Sequence, residues 1–425
     1  MDASAVPRPV EAAGEGGAAT IGACRACGGE RLEPILSLGD LPIADRLLVA
    51  ERLDEPDELA PLTLMLCRGC ALVQLETTLP RAQLFDEEYP YLSSTSPALL
   101  AHAAGSAREL IRSRGLGGED FVLELGSNDG YMLRNFVEAG VRTLGIDPSG
   151  VPARAARGKG VPTLIEFFTA ELAERLAREH GRADLVIANN VLAHVGDLND
   201  AVAGIASILA PDGLATLEFP YVLDLVDGNE FDTIYHQHLC YFSLTAAAAL
   251  FESHGLAIRE VRRLEIHGGS LQIRAGHGSG GGESVRNLLA AEQARGVSEP
   301  SAYTRLGETA RGVREALPRM IAELREGGAR IAAYGAAAKG TTLLGYCGLG
   351  RDQIDFVVDR NRFKQGRYLP GCRLEIRGPD ALLRERPDYA LLLSWNFADE
   401  ILAQQAAYRR AGGHFIVPIP SPRVV

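Results

Sequence analysis

The sequence lacks the features that would place it in several broad classes. No apolar run approaches the ~20 residues that a helical membrane span requires. Positive charge is not in excess: 43 Lys and Arg stand against 55 Asp and Glu, for a net charge of −12. That balance excludes a general nucleic-acid binder, which presents a basic face. The first twenty residues show no basic-then-apolar secretory pattern. Residues 1–20, rich in Ala, Gly, Glu and Pro, read as a disordered tail, and the expected location is cytoplasmic. With 46% hydrophobic and 23% charged residues, the 425-residue chain has the composition of a globular protein of two or three domains.

Cysteine is sparse but ordered. Four of the seven form two C-x-x-C pairs, Cys24/Cys27 and Cys67/Cys70. Two such knuckles in a reducing cytosol suit tetrahedral Zn2+ better than disulfides or redox chemistry. A closed four-thiolate set leaves no position for substrate, so the expected role of the metal is structural. Cys240, Cys347 and Cys372 are isolated and read as small buried residues.

Residues 21–85 therefore read as a zinc-binding module, with short strands at 33–38 and 62–66. An α/β pattern follows over 86–275, with buried strands expected at 121–125, 143–146, 184–188 and 213–219. Helical patterns between them imply right-handed crossovers and a mainly parallel, Rossmann-like sheet. The Gly-rich run 276–282 reads as a flexible break opening a linker with helices over 276–328, with a kink expected at Pro318. A second, smaller Rossmann-like α/β domain is expected over 329–425.

Glu124-Leu125-Gly126-Ser127-Asn128-Asp129-Gly130 sits where the first strand turns into a helix. Glycines there let backbone approach a ligand, and a helix N-terminus offers free N–H groups. The spacing is not G-x-G-x-x-G, which weakens a nicotinamide reading. Asp147, after the second strand, is placed to accept ribose hydroxyls. Glu124, Gly126, Asn128, Gly130 and Asp147 together suit S-adenosylmethionine, which carries a ribose and no phosphate. Asn189 and His194, at the end of the strand beginning near Asp184, face the expected ligand crevice.

Tyr235-His236-Gln237-His238-Leu239-Cys240-Tyr241 places two of the nine histidines two residues apart. On an extended segment His236 and His238 would point the same way. A second zinc there is undersupplied with ligands, and a proton-transfer site is the better reading.

Four features in order carry a resemblance: the two C-x-x-C knuckles, Tyr89-Pro90-Tyr91-Leu92-Ser93-Ser94, the Glu124–Gly130 loop, and the Tyr235–Ser243 block. The chain resembles the zinc-containing, S-adenosylmethionine-dependent sugar C-methyltransferases of branched-chain deoxysugar biosynthesis. The resemblance implies methylation of the carbon beside the ketone, usually C-3, of a dTDP-linked 4-keto-6-deoxysugar. It implies His238 as general base, with Tyr89, His194 and Tyr235 around the ketone. Tyr91, His236 and Lys339 are expected to contact the nucleotide sugar, Lys339 near its diphosphate. One departure stands out: the family usually has Glu before the second histidine, where this chain has Gln237, counted here among the catalytic residues. An amide can only hydrogen-bond. The alternatives are a methyltransferase acting on oxygen or nitrogen of another small molecule, and a non-catalytic zinc-ribbon binding protein. A monomer with no nucleic-acid or membrane partner is expected.

Overall fold

The computed structural model describes residues 18–84 and 91–425. The tail expected at 1–20 falls largely outside them, although Ala19–Thr20 forms a short strand antiparallel to Thr77–Thr78. Tyr89 also lies outside the described residues.

The N-terminal module is an antiparallel sheet of Leu32–Pro42, Leu59–Cys67 and Val73–Leu75. Its fourth strand, Cys240–Tyr241, comes from far downstream and pairs with Gln74 and Val73. Module and histidine segment thus share one sheet.

The second sheet has seven strands in the spatial order Leu256–Leu264, Ser270–His277, Leu209–Pro220, Ala183–Asn189, Phe121–Leu125, Arg142–Ile146, Thr163–Leu164. All pairings are parallel except those of Ser270–His277, which runs antiparallel to both neighbours. All five residues of Phe121–Leu125 are buried, as a strand covered on both faces demands. Helices are closed by side chains the sequence supplies. Thr169 accepts from the Leu172 amide and Asp197 from that of Asp200, capping the paired helices Ala170–His180 and Leu198–Ile208. The expected glycine break is shorter than its composition suggests, since Gly276 and His277 pair with Ala257 and Leu256 within the sheet. Ladder hydrogen bonds outweigh glycine's flexibility there.

Helices Glu283–Arg295 and Thr304–Glu326 lead to the third sheet, and the second of them continues through Pro318 without interruption. Leu306, Ala310, Val313, Leu317 and Ile321 bury one face of that helix, and this packing holds it across the proline. The third sheet runs in the order Ile376–Arg377, Val357–Val358, Ile331–Tyr334, Tyr389–Leu392, His414–Val417, Arg423–Val424, and only the last strand is antiparallel. It is doubly wound, like the second.

A single hydrophobic cluster runs from Cys24 and Leu36 through Leu123 and Phe242 to Leu343 and Ile416, so the three sheets share a core. Polar ties reinforce this packing. Lys364, buried in the third sheet's domain, donates to Asp45 of the module at 2.9 Å, and Arg373 clasps Asp57. No helix among the described residues is long and apolar enough to cross a membrane.

Candidate active site

The four Sγ atoms of Cys24, Cys27, Cys67 and Cys70 lie within 4.8 Å of one another, with Cys24 to Cys70 at 3.6 Å and Cys27 to Cys67 at 3.5 Å. Tetrahedral zinc with ~2.3 Å bonds to sulfur needs sulfurs roughly 3.8 Å apart. The cluster fits that ion. The Gly69 amide donates to Cys67 Sγ at 3.4 Å, as expected around a thiolate knuckle. Beneath the knuckles the Arg25 guanidinium is buried, donating to the Leu75 carbonyl at 2.6 Å and to Thr78 Oγ1 at 2.5 Å.

The carboxyl ends of the second and third sheets face one cavity of about 370 Å3. At one end are Gly126, Asn128, Ile146, Asp147, Phe168 and Asn189; at the other are Lys339, Ser394 and Asn396. His194, Tyr235, His238 and Tyr91 line the same cavity.

The loop Gly126–Gly130 is built around left-handed residues: Gly126 has φ +60° and Asn128 φ +48°. A Cβ on Gly126 would lie 2.7 Å from Val191 Cγ2. Asp147 holds the loop, accepting from the Asn128 amide and the Ser149 amide, both at 2.9 Å. Burial raises its carboxyl pKa to about 6. The Asn128 side chain is also engaged within the protein. It accepts from the Ser93 amide at 2.8 Å and donates to the Tyr91 carbonyl at 3.2 Å, pinning that segment to the loop.

Two of the expected cofactor residues do not line the cavity. Gly130 turns its back on it, packed against Val161. Glu124 lies beneath the loop, 1% exposed, with neither carboxyl oxygen partnered among the described residues. Burial pushes its pKa well up, and it supports the loop from below.

The histidines are ordered by carbonyl oxygens. His238 Nδ1 lies 3.0 Å from the Thr233 carbonyl, an acceptor only, so Nδ1 carries the hydrogen and neutral Nε2 carries the lone pair. Tyr235 donates its hydroxyl to that Nε2 at 2.7 Å. Burial holds the Tyr235 pKa well above 10, so the phenol stays protonated. His194 Nδ1 donates to the Gln237 carbonyl at 2.7 Å, with its ring 4.8 Å from that of His238. Burial lowers its pKa to about 4, so it is neutral at physiological pH.

The segment is not extended as expected. The His238 amide bonds to the Tyr235 carbonyl at 2.8 Å, closing a turn that sends His236 and His238 apart. The His236 ring, 1% exposed, reaches the Ala60 carbonyl of the module at 3.0 Å. Gln237 is buried and donates through Nε2 to the Ala44 carbonyl at 2.6 Å. Neither side chain lines the cavity.

Lys339 does face the cavity, with its ammonium 4.1 Å above the Trp395 ring and donating to Asn396. Trp395 Nε1 donates to the buried Asp232 at 2.7 Å. Burial lowers the Lys339 pKa, opposed by the charges of Asp232 and Glu230. Burial also raises the Glu230 pKa to about 8, opposed by the Lys339 ammonium, and its carboxyl group faces the cavity. Reading the sequence missed Glu230, Tyr131, Phe168 and Asn396. Phe168 alone left a signal, as an aromatic just past a strand end. Glu230 sits in a loop with none.

A seven-stranded sheet with this order, a glycine loop after its first strand and an acid after its second define an S-adenosylmethionine-dependent methyltransferase. Family models match along the chain: a zinc binding domain over residues 24–85, a methyltransferase domain over 100–261, and a C-methyltransferase C-terminal domain over 265–420. The C-methyltransferase NovU of Streptomyces niveus is 38% identical over 405 residues, covering 95% of this chain and 96% of that one. The chain belongs to this C-methyltransferase family. Among solved structures, the magnesium protoporphyrin IX methyltransferase ChlM of Synechocystis PCC 6803 with bound SAM covers 42% of the chain at 16% identity and a TM-score of 0.33, and 79% of its own. The CcbJ methyltransferase of Streptomyces caelestis also covers 42%, at 14% identity and a TM-score of 0.33, and 90% of its own.

Two predictions concern the cofactor end. Gly126→Ala forces a Cβ into Val191 at a positive φ, and strain of about 1–2 kcal/mol must distort the loop. Titration calorimetry should show S-adenosylmethionine binding weakened well beyond the error of the method, with thermal stability also lowered. Asp147 accepts best as a carboxylate, so affinity should fall as pH drops through 6, by roughly tenfold for one charge-assisted hydrogen bond. Asp147→Asn should bind weakly and with no such pH dependence.

Proposed function

We propose that this enzyme methylates the carbon beside the ketone of a nucleotide-linked 4-keto-6-deoxysugar, at C-3 and with thymidine diphosphate as carrier. The observation that carries this reading is the Tyr235–His238–Thr233 hydrogen-bonded chain, set in the same cavity as the glycine loop. Oxygen or nitrogen acceptors need no carbon deprotonated, and a positioned imidazole base beside an O–H donor supports that step.

His238 Nε2 takes the proton from the carbon, and the electrons of that C–H bond move toward the ketone oxygen. Nδ1–H remains on the Thr233 carbonyl and stabilises the imidazolium that forms. Nε2 has a single lone pair, so Tyr235 first swings its O–H off it and onto the ketone oxygen, leaving Nε2 free to take the proton. That donation strengthens as negative charge appears on the oxygen, which is where it lowers the barrier. Gly126 and Asp147 would hold S-adenosylmethionine, which when bound would supply an electrophilic methyl group to the carbanion, with S-adenosylhomocysteine as the leaving group. Glu230 and Lys339, which line the same cavity, would hydrogen-bond oxygens of the sugar or its diphosphate.

The test is incubation with methyl-labelled S-adenosylmethionine and a panel of 4-keto-6-deoxysugar nucleotides, with the new carbon–methyl bond located by NMR. In deuterated water the same panel should exchange the C-3 hydrogen without cofactor turnover. Methyl on oxygen, or no exchange at carbon, would refute the reading.

A further inference from the structure

The stretch from His236 to Tyr241 hangs almost entirely on the zinc-stapled module. The His236 ring reaches the Ala60 carbonyl, Gln237 Nε2 the Ala44 carbonyl, and the Leu239 carbonyl accepts from the Leu75 amide at 2.8 Å. Cys240 and Tyr241 are paired with Gln74 and Val73. Of these residues only His238 lines the cavity. Within this set Gln237 is distinctive because it is held at both ends. Its side-chain amide grips the module at 2.6 Å, and its backbone carbonyl takes the His194 Nδ1 hydrogen at 2.7 Å.

We propose that Gln237 is a positioning residue: the donor bond from its side chain to the Ala44 carbonyl fixes the peptide whose oxygen sets the tautomer and tilt of His194. It acts through His194 and touches no reactant.

Three observations carry this. Ala44 offers a carbonyl oxygen, so position 237 must supply a hydrogen. Gln237 Oε1 is buried with no partner among the described residues, so the residue is retained for its donor and not for its acceptor. The acceptor end is itself anchored. Ala44 adjoins Asp45, whose carboxylate holds the buried Lys364 ammonium at 2.9 Å, and Lys364 also donates to the Ala336 carbonyl at 2.7 Å. The line from the third sheet's domain through Asp45, Ala44 and Gln237 to His194 is thus continuous.

The position also rationalises the departure noted in the sequence. A glutamic acid kept protonated by burial could make the same bond to Ala44, whereas a carboxylate could not. The requirement at 237 is an uncharged donor of this length, and Gln meets it at every pH.

Two substitutions test this in the full-length zinc-loaded protein. Gln237→Met keeps the volume and removes the donor; Gln237→Glu restores it when protonated. Long-range proton–nitrogen NMR of the nine histidines, assigned by a His194→Asn spectrum, reads the His194 tautomer without any acceptor substrate. In the parent protein His194 should show a single Nδ1–H form; in Gln237→Met that signal should split or broaden. Methyl-transfer kcat should fall about tenfold, the scale of one buried hydrogen bond. KM and S-adenosylmethionine affinity should stay near parent values, and Gln237→Glu at pH 6 should recover most of the loss. A parent-like His194 spectrum or kcat in Gln237→Met would overturn the proposal, as would Gln237→Glu as impaired as Met. The proposal rests on the carbon-methylation reading only for kcat. If no sugar nucleotide is methylated, that reading fails while the histidine spectrum still decides the role of Gln237.

Discussion

His238→Asn is expected to lower methyl-transfer kcat by roughly 10²–10⁴-fold, the usual share of a positioned general base. Asparagine can keep a hydrogen bond to the Thr233 carbonyl, so the local turn should survive. What it cannot do is accept a proton from carbon. S-adenosylmethionine affinity measured by calorimetry should be unchanged, because the glycine loop is held by Asp147. Deuterium exchange at the sugar carbon should fall in parallel with turnover, since both need the same proton removed. An Asn variant that exchanges deuterium at the parent rate would show that another group is the base. Tyr235→Phe should be less damaging: His238 keeps its lone pair, and only the donation to the enolate oxygen is lost.

Removing zinc should have the other large effect. Structural zinc contributes an apparent 10–16 kcal/mol to the folding of small zinc-binding units, and this module has little core of its own. Exhaustive chelation under reducing conditions, or Cys67→Ser, should melt the sheet of Leu32–Pro42 and Leu59–Cys67. The partners of His236, Gln237, Leu239 and Cys240 then vanish together, and methyl transfer should drop to background. S-adenosylmethionine binding should persist, because the Asn128 loop is tied to Asp147 and to Tyr91–Ser93 and not to the module. Calorimetry on the chelated protein, beside an activity assay, reads the split. Loss of both together would mean that the module supports the whole catalytic sheet.

Much of this architecture was legible in the sequence where the signal is local. The C-x-x-C pairs announce their metal because two knuckles bring four ligands with short loops. Phe121–Leu125 and Tyr389–Leu392 are short apolar runs of a buried parallel strand. Asp147 was visible because the residue after a second α/β strand meets the ribose by geometry. Other features depend on partners that no local pattern encodes. His236 and His238 share a face only on an extended chain, and the Tyr235–His238 turn separates them. Glu124 resembles a ligand-facing acid, yet the strand's alternation carries it under the loop. Glu230 enters the cavity only because distant segments, including Gly268, close around it. The strand Cys240–Tyr241 is too short to signal itself, and its partner lies far upstream.

That last pairing reaches beyond catalysis. A zinc unit merely strung ahead of a methyltransferase could be exchanged for another, or deleted, without altering the enzyme behind it. Here the two regions cross-stitch one sheet, so neither can be inherited, transplanted or trimmed on its own. Chimaeras between relatives that join the chain anywhere between Cys70 and Cys240 should fail unless both flanks come from the same parent.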